Sequence, residues 1–196
     1  MNVLFDNITV KKIPFDYFYC MCNFNDSAVI EKLLDWFDSN APWEYTQTDF
    51  YEQYEFDLKQ VQLPTSLEYF VSTNFENSLL NLMERIFQFT FDKNISVIAH
   101  KLTRGQSIGI HNDFLADEES ETHRLLLQIN RNWSEEQGGI LMFFDNSDEL
   151  NITDALVPLN CSIKDFKISK ISNHAVIEIH SDNNRYTIIY NFTERI

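Results

Sequence analysis

The sequence predicts an α+β, mainly β fold, in which a β-sandwich or barrel is supported by N-terminal helices. Apolar residues in the first half recur with the spacing of amphipathic helices, whereas from residue 95 onward they alternate as in strands. Only 4 Gly and 4 Pro occur in 196 residues, and no linker or repeat interrupts the pattern. We therefore expect one domain, residues 1–196, with a strand and helical support in 1–94 and a β core in 95–196.

The first half contains one strand-like run and two helical patterns. Residues 8–24 have strand character, and Ser27 then offers N-cap chemistry for a helix that ends near Asn40. Its apolar residues fall at i, i+3, i+4 and i+7, which is the spacing of one helix face. A short turn or helix is expected to start at Pro64, and a second amphipathic helix is expected over residues 77–91.

The second half contains short strand patterns separated by turn-forming residues such as "TRGQ" and "SDNN". These runs predict the β core, and its inner face is the expected functional face. The candidate strands are residues 95–103, 107–114, 123–130, 138–144, 174–180 and 185–192.

Composition and charge exclude several classes of protein. The formal net charge is −15, which argues against a nucleic-acid partner because phosphate binding requires basic surface. No run of apolar residues approaches the length of a membrane span, and the N-terminus lacks the pattern of a signal peptide. The three cysteines have no zinc or thioredoxin spacing, so reduced thiols and a cytoplasmic location are expected.

The stretch "SIGIHNDF" suggests a metal site. His111 and Asp113 are two residues apart, so in a strand their side chains would lie on one face. A facial Fe(II) site needs two imidazoles and one carboxylate, and His174 or His180 could supply the third ligand from a later strand. A plain hydrogen bond between His111 and Asp113 is the alternative.

The strand after these histidines begins with Arg185. Arginine is costly to bury, and its planar guanidinium matches a carboxylate with two parallel hydrogen bonds. An inward-facing Arg185 is therefore a candidate carboxylate receptor, and Thr187 on the same face can add a hydroxyl.

The order H-x-D, distal His, then Arg resembles the Fe(II)- and 2-oxoglutarate-dependent dioxygenases, and more narrowly their prolyl-4-hydroxylase-like branch. The segment 123–144, "HRLLLQINRNWSEEQGGILMFF", is similar to a signature of that branch. The matching positions in this segment are Arg124, Asn130, Trp133, Gly138, Gly139 and Leu141.

The resemblance implies a double-stranded β-helix core of the jelly-roll, cupin-like kind. It implies that Fe(II) is held by His111, Asp113 and His174, with His174 preferred over His180, and that no further side chain acts as a catalyst. Arg185 and Thr187 would bind the distal carboxylate of 2-oxoglutarate, and O2 would take the last position on the iron.

The chain departs from the branch at two positions around the cosubstrate. Leu102 and Gln128 stand at positions where relatives carry tyrosine. These two residues are therefore the candidates to line the 2-oxoglutarate site instead of the tyrosines.

Five residues are candidate substrate contacts. Arg124 either reaches the substrate or pairs with the acidic segment "ADEESE", and Trp133 is favoured as a packing residue. Tyr51 and Tyr54 lie in an aromatic, acidic segment that either borders the cleft or covers the core. Asn130 is the fifth candidate.

The function implied is hydroxylation of an unactivated C–H bond in a peptide or protein side chain, with decarboxylation of 2-oxoglutarate to succinate and CO2. Two alternatives stay open: hydroxylation of a free amino acid or small metabolite, and a non-catalytic metal- or protein-binding module on the same fold. The sequence leaves the oligomeric state open.

Overall fold

The structure is a computed structural model that describes residues 1–115 and 121–195. The helices are α1 (Ala28–Ser39) and α2 (Thr73–Phe87). The strands are β1 (Val3–Lys11), β2 (Tyr17–Phe24), β3 (Glu44–Gln47), β4 (Glu52–Asp57), β5 (Ser96–Leu102), β6 (Ile108–His111), β7 (His123–Gln128), β8 (Leu141–Phe144), β9 (Ile152–Leu156), β10 (Ser162–Lys167), β11 (His174–Val176) and β12 (Arg185–Phe192).

Antiparallel pairing within the described ranges produces two sheets. One has the strand order β1-β2-β10-β7-β12-β5-β4-β3, and the other has the order β6-β11-β8-β9. Their facing sides share one apolar cluster, in which Leu126 and Phe166 of the large sheet pack with Leu141 and Phe143 of the small one. This arrangement is the double-stranded β-helix, and its interior positions the site.

The other face of the large sheet is covered by the two helices. Leu33, Phe37, Leu79 and Met83 are at most 1% exposed and belong to the main core cluster. Burying side chains of this size stabilises the fold by about 1.5–3 kcal/mol each. The helices therefore pack on the outer face of the large sheet, and its inner face remains available for the site.

The second helix begins earlier than the sequence predicted. It starts at Thr73 because the Ser72 hydroxyl accepts a hydrogen bond from the Phe75 backbone amide at 3.3 Å. It ends at Phe87 because Gln88 adopts a left-handed conformation with φ 61°.

Several strand predictions need correction. The run 8–24 covers the end of β1, which begins at Val3, and all of β2. The predicted strands 107–114 and 174–180 are shortened to β6 and β11. Strands β9 and β10 were missed altogether. The segment "SIKDFK" of β10 carries charges on both faces, yet it lies between β2 and β7 in the large sheet, with Lys164 and Asp165 at most 3% exposed.

Among the described residues, no helix is long and apolar enough to cross a membrane.

Candidate active site

His111, Asp113 and His174 converge at one end of the interior. Each of the three offers one ligand atom, and these atoms all lie within 4.8 Å of one another. Asp113 Oδ1 is 3.3 Å from His111 Nε2, and Asp113 Oδ2 is 3.2 Å from His174 Nε2. The two histidines are direct partners across β6 and β11, so it is His174, not His180, that lies beside His111.

Asp113 reaches this cluster by a route that the sequence reasoning did not foresee. Strand β6 ends at His111, and Asp113 lies beyond it with a positive φ of 58°. Aspartate is one of the few residues that tolerates this left-handed conformation. The argument that His111 and Asp113 share a strand face is therefore wrong, although the two side chains do meet.

Both imidazoles are oriented by backbone carbonyls. His111 Nδ1 lies 2.9 Å from the Gly109 carbonyl, and His174 Nδ1 lies 2.8 Å from the Ser172 carbonyl. A carbonyl only accepts, so each Nδ1 carries the proton, and in the neutral ring Nε2 is left with a lone pair. Burial lowers the pKa of His174, which favours that neutral form.

The donor set fits a divalent cation. Two Nε2 lone pairs and a carboxylate converge, and electron-rich atoms so close repel one another unless a positive charge lies between them. Burial on its own would raise the pKa of Asp113, but the charge of Arg124 beside it helps to hold that pKa well below its usual range. Two imidazoles and one carboxylate form the facial set typical of Fe(II).

Arg124 forms a hydrogen-bonded ion pair with the carboxylate of Asp113. Its Nη1 donates to Asp113 Oδ2 at 2.7 Å, while Nε donates to Asn191 Oδ1 at 3.0 Å and Nη2 to Glu121 Oε2 at 3.2 Å. Charge-assisted hydrogen bonds of this kind fix orientation as well as contributing energy. The expected ion pair with the acidic segment is thus present at Glu121, and residues 116–120 lie outside the described ranges.

A cavity of about 350 Å³ runs from this cluster to Arg185. Arg185 is only 3% exposed, and its Nε and Nη1 donate to the Gly139 carbonyl and the Thr187 hydroxyl, both at 2.9 Å. Its Nη2 is buried without a hydrogen-bond partner, and in the described part of the chain no carboxylate forms a salt bridge with it. Burial lowers the pKa of Arg185 to about 10, so the side chain remains a cation at neutral pH.

An unpaired buried cation is costly, and an anion that enters the cavity would offset that cost. Beside Arg185, Thr187 donates to Gln128 Oε1 at 3.0 Å. Gln128 Nε2 is a second buried donor without a partner among the described residues. Leu102 is 1% exposed, lines the cavity and pairs in register with Arg185, so the wall there is apolar. This end of the cavity fits a carboxylate.

The structure places the remaining candidates on both sides of the cavity wall. Tyr51 lines the cavity, whereas Tyr54 lies on the outer side of β4, where the Lys101 ammonium sits 4.2 Å from its ring centroid. Asn130 is buried outside the cavity and accepts the Tyr186 backbone amide at 2.7 Å. Neither Asn130 nor Tyr54 lines the cavity, so these contacts indicate a structural role for both residues.

Trp133 and His180 also lie away from the cavity lining. Trp133 is buried in the apolar cluster, and its Nε1 donates to the Gly138 carbonyl at 2.9 Å. That placement agrees with the packing role favoured from the sequence. His180 is exposed and is not part of the cluster of possible metal ligands.

Sequence reasoning missed several lining residues, and the polar or aromatic ones on β4, β5 and β10 are Gln53, Glu55, His100 and Phe166. The Phe166 ring packs 4.5 Å from that of His174, and it lies on the unrecognised strand β10. Gln53 and Glu55 of β4 face the cavity, while Phe56 packs in the main core against α1. The spacing of Gln53 and Glu55, two residues apart, was a signal that they share a strand face, but Glu52 breaks the alternation of the segment.

Substitution Gly139→Ala is expected to displace Arg185. A Cβ at this position would lie 2.7 Å from Arg185 Cδ and 2.7 Å from Ile179 Cδ1. We expect the dissociation constant for 2-oxoglutarate to rise by about tenfold or more, because a guanidinium displaced by even 1 Å loses its alignment with a carboxylate. Calorimetric titration with 2-oxoglutarate measures the change.

Gly105→Ala is the matched control for this substitution. Gly105 also has a positive φ, 84°, but no atom would lie within 4 Å of the new Cβ. It should cost about 1–2 kcal/mol of stability and leave 2-oxoglutarate affinity unchanged. Equal losses of affinity in both variants would show that backbone strain, not displacement of Arg185, is the cause.

Comparison with known families finds a match over the second half of the chain. Residues 97–193 match the sequence model of the 2OG-Fe(II) oxygenase superfamily. The matched range contains the His111, Asp113 and His174 cluster as well as Arg185. No curated protein matches the sequence.

Solved structures share the fold at low sequence identity. A prolyl-4-hydroxylase from Pseudomonas putida is 13% identical, with a TM-score of 0.72 over 92% of this chain and 93% of that chain. A prolyl hydroxylase from Trichoplax adhaerens, in complex with a peptide fragment of the hypoxia inducible factor oxygen degradation domain, is 14% identical, with a TM-score of 0.69 over 90% and 83%. A viral collagen prolyl hydroxylase from Paramecium Bursaria Chlorella virus-1, in a 2OG complex, is 14% identical, with a TM-score of 0.61 over 92% and 96%.

Proposed function

The chain belongs to the 2OG-Fe(II) oxygenase superfamily, and we propose that it hydroxylates an unactivated C–H bond in a side chain of a peptide or protein. It is an Fe(II)- and 2-oxoglutarate-dependent dioxygenase, and its cofactors are Fe(II), 2-oxoglutarate and O2. The observation that carries the proposal is the pairing of the metal-binding set with a buried, unpaired Arg185 at opposite ends of one cavity.

His111, Asp113 and His174 hold Fe(II) in this proposal, and Arg185 with Thr187 binds the distal carboxylate of 2-oxoglutarate. Bound iron and cosubstrate supply the oxidising chemistry with O2, and 2-oxoglutarate leaves as succinate and CO2. Arg124 keeps the Asp113 carboxylate turned toward the metal through the 2.7 Å hydrogen bond to Oδ2. Each of these side chains binds or orients a group, and none transfers a proton.

The cavity walls between the two ends are apolar on two facing sides. Leu126 and Ile189 line one side, and Leu141 and Val176 line the facing side. An apolar wall strengthens the electrostatic contacts inside the cavity and protects reactive species from water. This arrangement suits an enzyme in which the cofactors perform the chemistry and the protein positions them.

The surface outside the metal end favours a peptide over a small molecule. Phe50, Phe114 and Leu115 are 44%, 37% and 69% exposed, and they line an open groove beside His111 and Asp113. Exposed apolar groups that flank a cleft are typical of sites for protein or peptide partners. A free amino acid would instead need a closed pocket with a dedicated charge for each of its termini.

The test of the proposed function is a turnover assay with Fe(II), 2-oxoglutarate and O2. We expect a peptide pool to gain 16 Da on a side chain, with one succinate released for each modified residue (one oxygen atom is added per turnover). Oxidation of free amino acids alone would favour the small-metabolite alternative. Release of no succinate with any substrate, despite bound iron, would support the non-catalytic alternative.

A further inference from the structure

Strand β4 forms one wall of the cavity. The side chains of this wall that face the cavity accept hydrogen bonds, and none of them is a cation. Its inward side chains include Gln53 and Glu55, and the Glu55 side chain keeps 29% of its surface accessible. Glu55 Oε1 accepts from the Thr46 hydroxyl at 3.0 Å, and Oε2 accepts from Gln53 Nε2 at 2.7 Å. Both of these donors are neutral.

The remaining neighbour of Glu55 is also neutral. His100 Nε2 lies 3.5 Å from Glu55 Oε2. Burial, together with the charges of Arg124 and Arg185, lowers the pKa of His100 to about 3. Glu55 is therefore a carboxylate facing the cavity with no positive partner among the described residues.

Gln53 supplies a second acceptor on the same wall. The residue is 3% exposed, and its Oε1 is buried without a hydrogen-bond partner in the described chain. A buried acceptor left unsatisfied costs about 1–3 kcal/mol. A bound group with N–H donors would remove that cost and would also neutralise Glu55.

The cosubstrate cannot supply these donors. The dianion 2-oxoglutarate has only acceptor oxygens, so it pairs with donors, and the unpaired donors Arg185 Nη2 and Gln128 Nε2 lie on β12 and β7 rather than on β4. Its own charge would be repelled by Glu55. The unpaired Gln53 Oε1 and the uncompensated charge of Glu55 therefore call for a different ligand, and the substrate is the other molecule that enters the cavity.

We propose that the substrate side chain entering this cavity carries a cationic nitrogen, the ammonium of lysine or the guanidinium of arginine, and that Glu55 and Gln53 bind it. The inference rests on the proposed function, because it concerns the substrate of that same site. A prolyl residue within a peptide has neither a charge nor an N–H, so it would leave Gln53 Oε1 unpaired and Glu55 without a positive partner. Glu121 at the mouth and the net charge of −15 also favour a basic peptide.

The test measures binding of matched peptides to protein loaded anaerobically with Mn(II) and 2-oxoglutarate. The peptides have randomised flanking residues and differ only at the central position, which is lysine, arginine, acetyl-lysine, norleucine or proline. We expect the lysine or the arginine set to bind about 10- to 100-fold more tightly than norleucine and acetyl-lysine, as for a charge-assisted hydrogen bond. Glu55→Gln should abolish that preference.

The control is Glu52→Gln on the same strand. Glu52 accepts from the Tyr45 hydroxyl at 2.6 Å and does not line the cavity, so this variant should keep the preference of the wild type. Equal binding of lysine, arginine and norleucine peptides by wild-type protein that holds 2-oxoglutarate would overturn the inference and leave the proposed function intact. Failure of the wild type to bind 2-oxoglutarate would overturn both.

Discussion

Replacement of His174 by alanine is expected to abolish Fe(II) binding and turnover. His174 Nε2 is one of three donor atoms within 4.8 Å of one another, and loss of a direct ligand leaves only His111 and Asp113. Changes to groups that merely orient ligands already cost 10- to 100-fold in metal affinity, so we expect a loss of more than about 100-fold here. Anaerobic calorimetric titration with Fe(II) measures the affinity.

His180→Ala is the control, because His180 is exposed and lies outside the cluster. It should bind Fe(II) like the wild type. If His180→Ala loses the metal and His174→Ala retains it, the ligand assignment is wrong. Circular dichroism of both variants separates loss of metal from loss of fold, since His174 is 4% exposed and packs against Phe166.

Arg185→Ala is expected to weaken 2-oxoglutarate binding by about 100-fold or more while Fe(II) still binds. Truncating one partner of a buried, hydrogen-bonded charge pair typically costs about 2–5 kcal/mol, and about 3 kcal/mol corresponds to more than 100-fold in affinity. In the wild type, 2-oxoglutarate should also raise the melting temperature, because it neutralises a buried cation. That shift should be lost in Arg185→Ala.

Arg104→Ala provides the matched arginine control. The Arg104 side chain is 65% exposed and pairs with Asp182 on the surface at 2.7 Å. Surface pairs contribute little to stability, so this variant should bind 2-oxoglutarate as the wild type does. An unchanged 2-oxoglutarate affinity in Arg185→Ala would show that the cosubstrate carboxylate lies elsewhere.

The candidate metal ligands could be found from the sequence because their chemistry is local and their order is distinctive. His111, Asp113, His174 and Arg185 stand out as an imidazole, carboxylate and guanidinium set in strand-like surroundings. The reason given for His111 and Asp113 was nevertheless wrong. The strand ends at His111, and a positive φ at Asp113 turns the carboxylate inward, a backbone state that spacing alone does not reveal.

The rest of the site depends on pairing between distant strands, which periodicity does not encode. Strand β10 escaped notice because Lys164 and Asp165 read as surface residues, although both are buried in the middle of the large sheet. The Lys164 ammonium is accommodated by the Val157 carbonyl at 2.6 Å, and burial raises the pKa of Asp165 well above its usual range. Tertiary packing thus overrides the polarity of the segment.

Strand β4 was hard to assign because both of its faces are covered by other parts of the protein, and one of the two is polar. Gln53 and Glu55 face the interior, where a cavity replaces the core, while Phe56 packs against the helices. Polar residues that point inward are read from sequence as exposed. The same polar face makes β4 the wall on which substrate recognition is proposed.

The most direct test of the account is anaerobic titration of the wild-type protein with Fe(II) and then with 2-oxoglutarate, followed by visible absorption spectroscopy. Chelation of the iron by 2-oxoglutarate produces a weak metal-to-ligand charge-transfer band. The account predicts that the band appears in the wild type, is absent in His174→Ala and requires far more 2-oxoglutarate in Arg185→Ala. Bound iron without a band in the wild type, at saturating 2-oxoglutarate, would contradict the assignment of one cavity to both the metal and the cosubstrate.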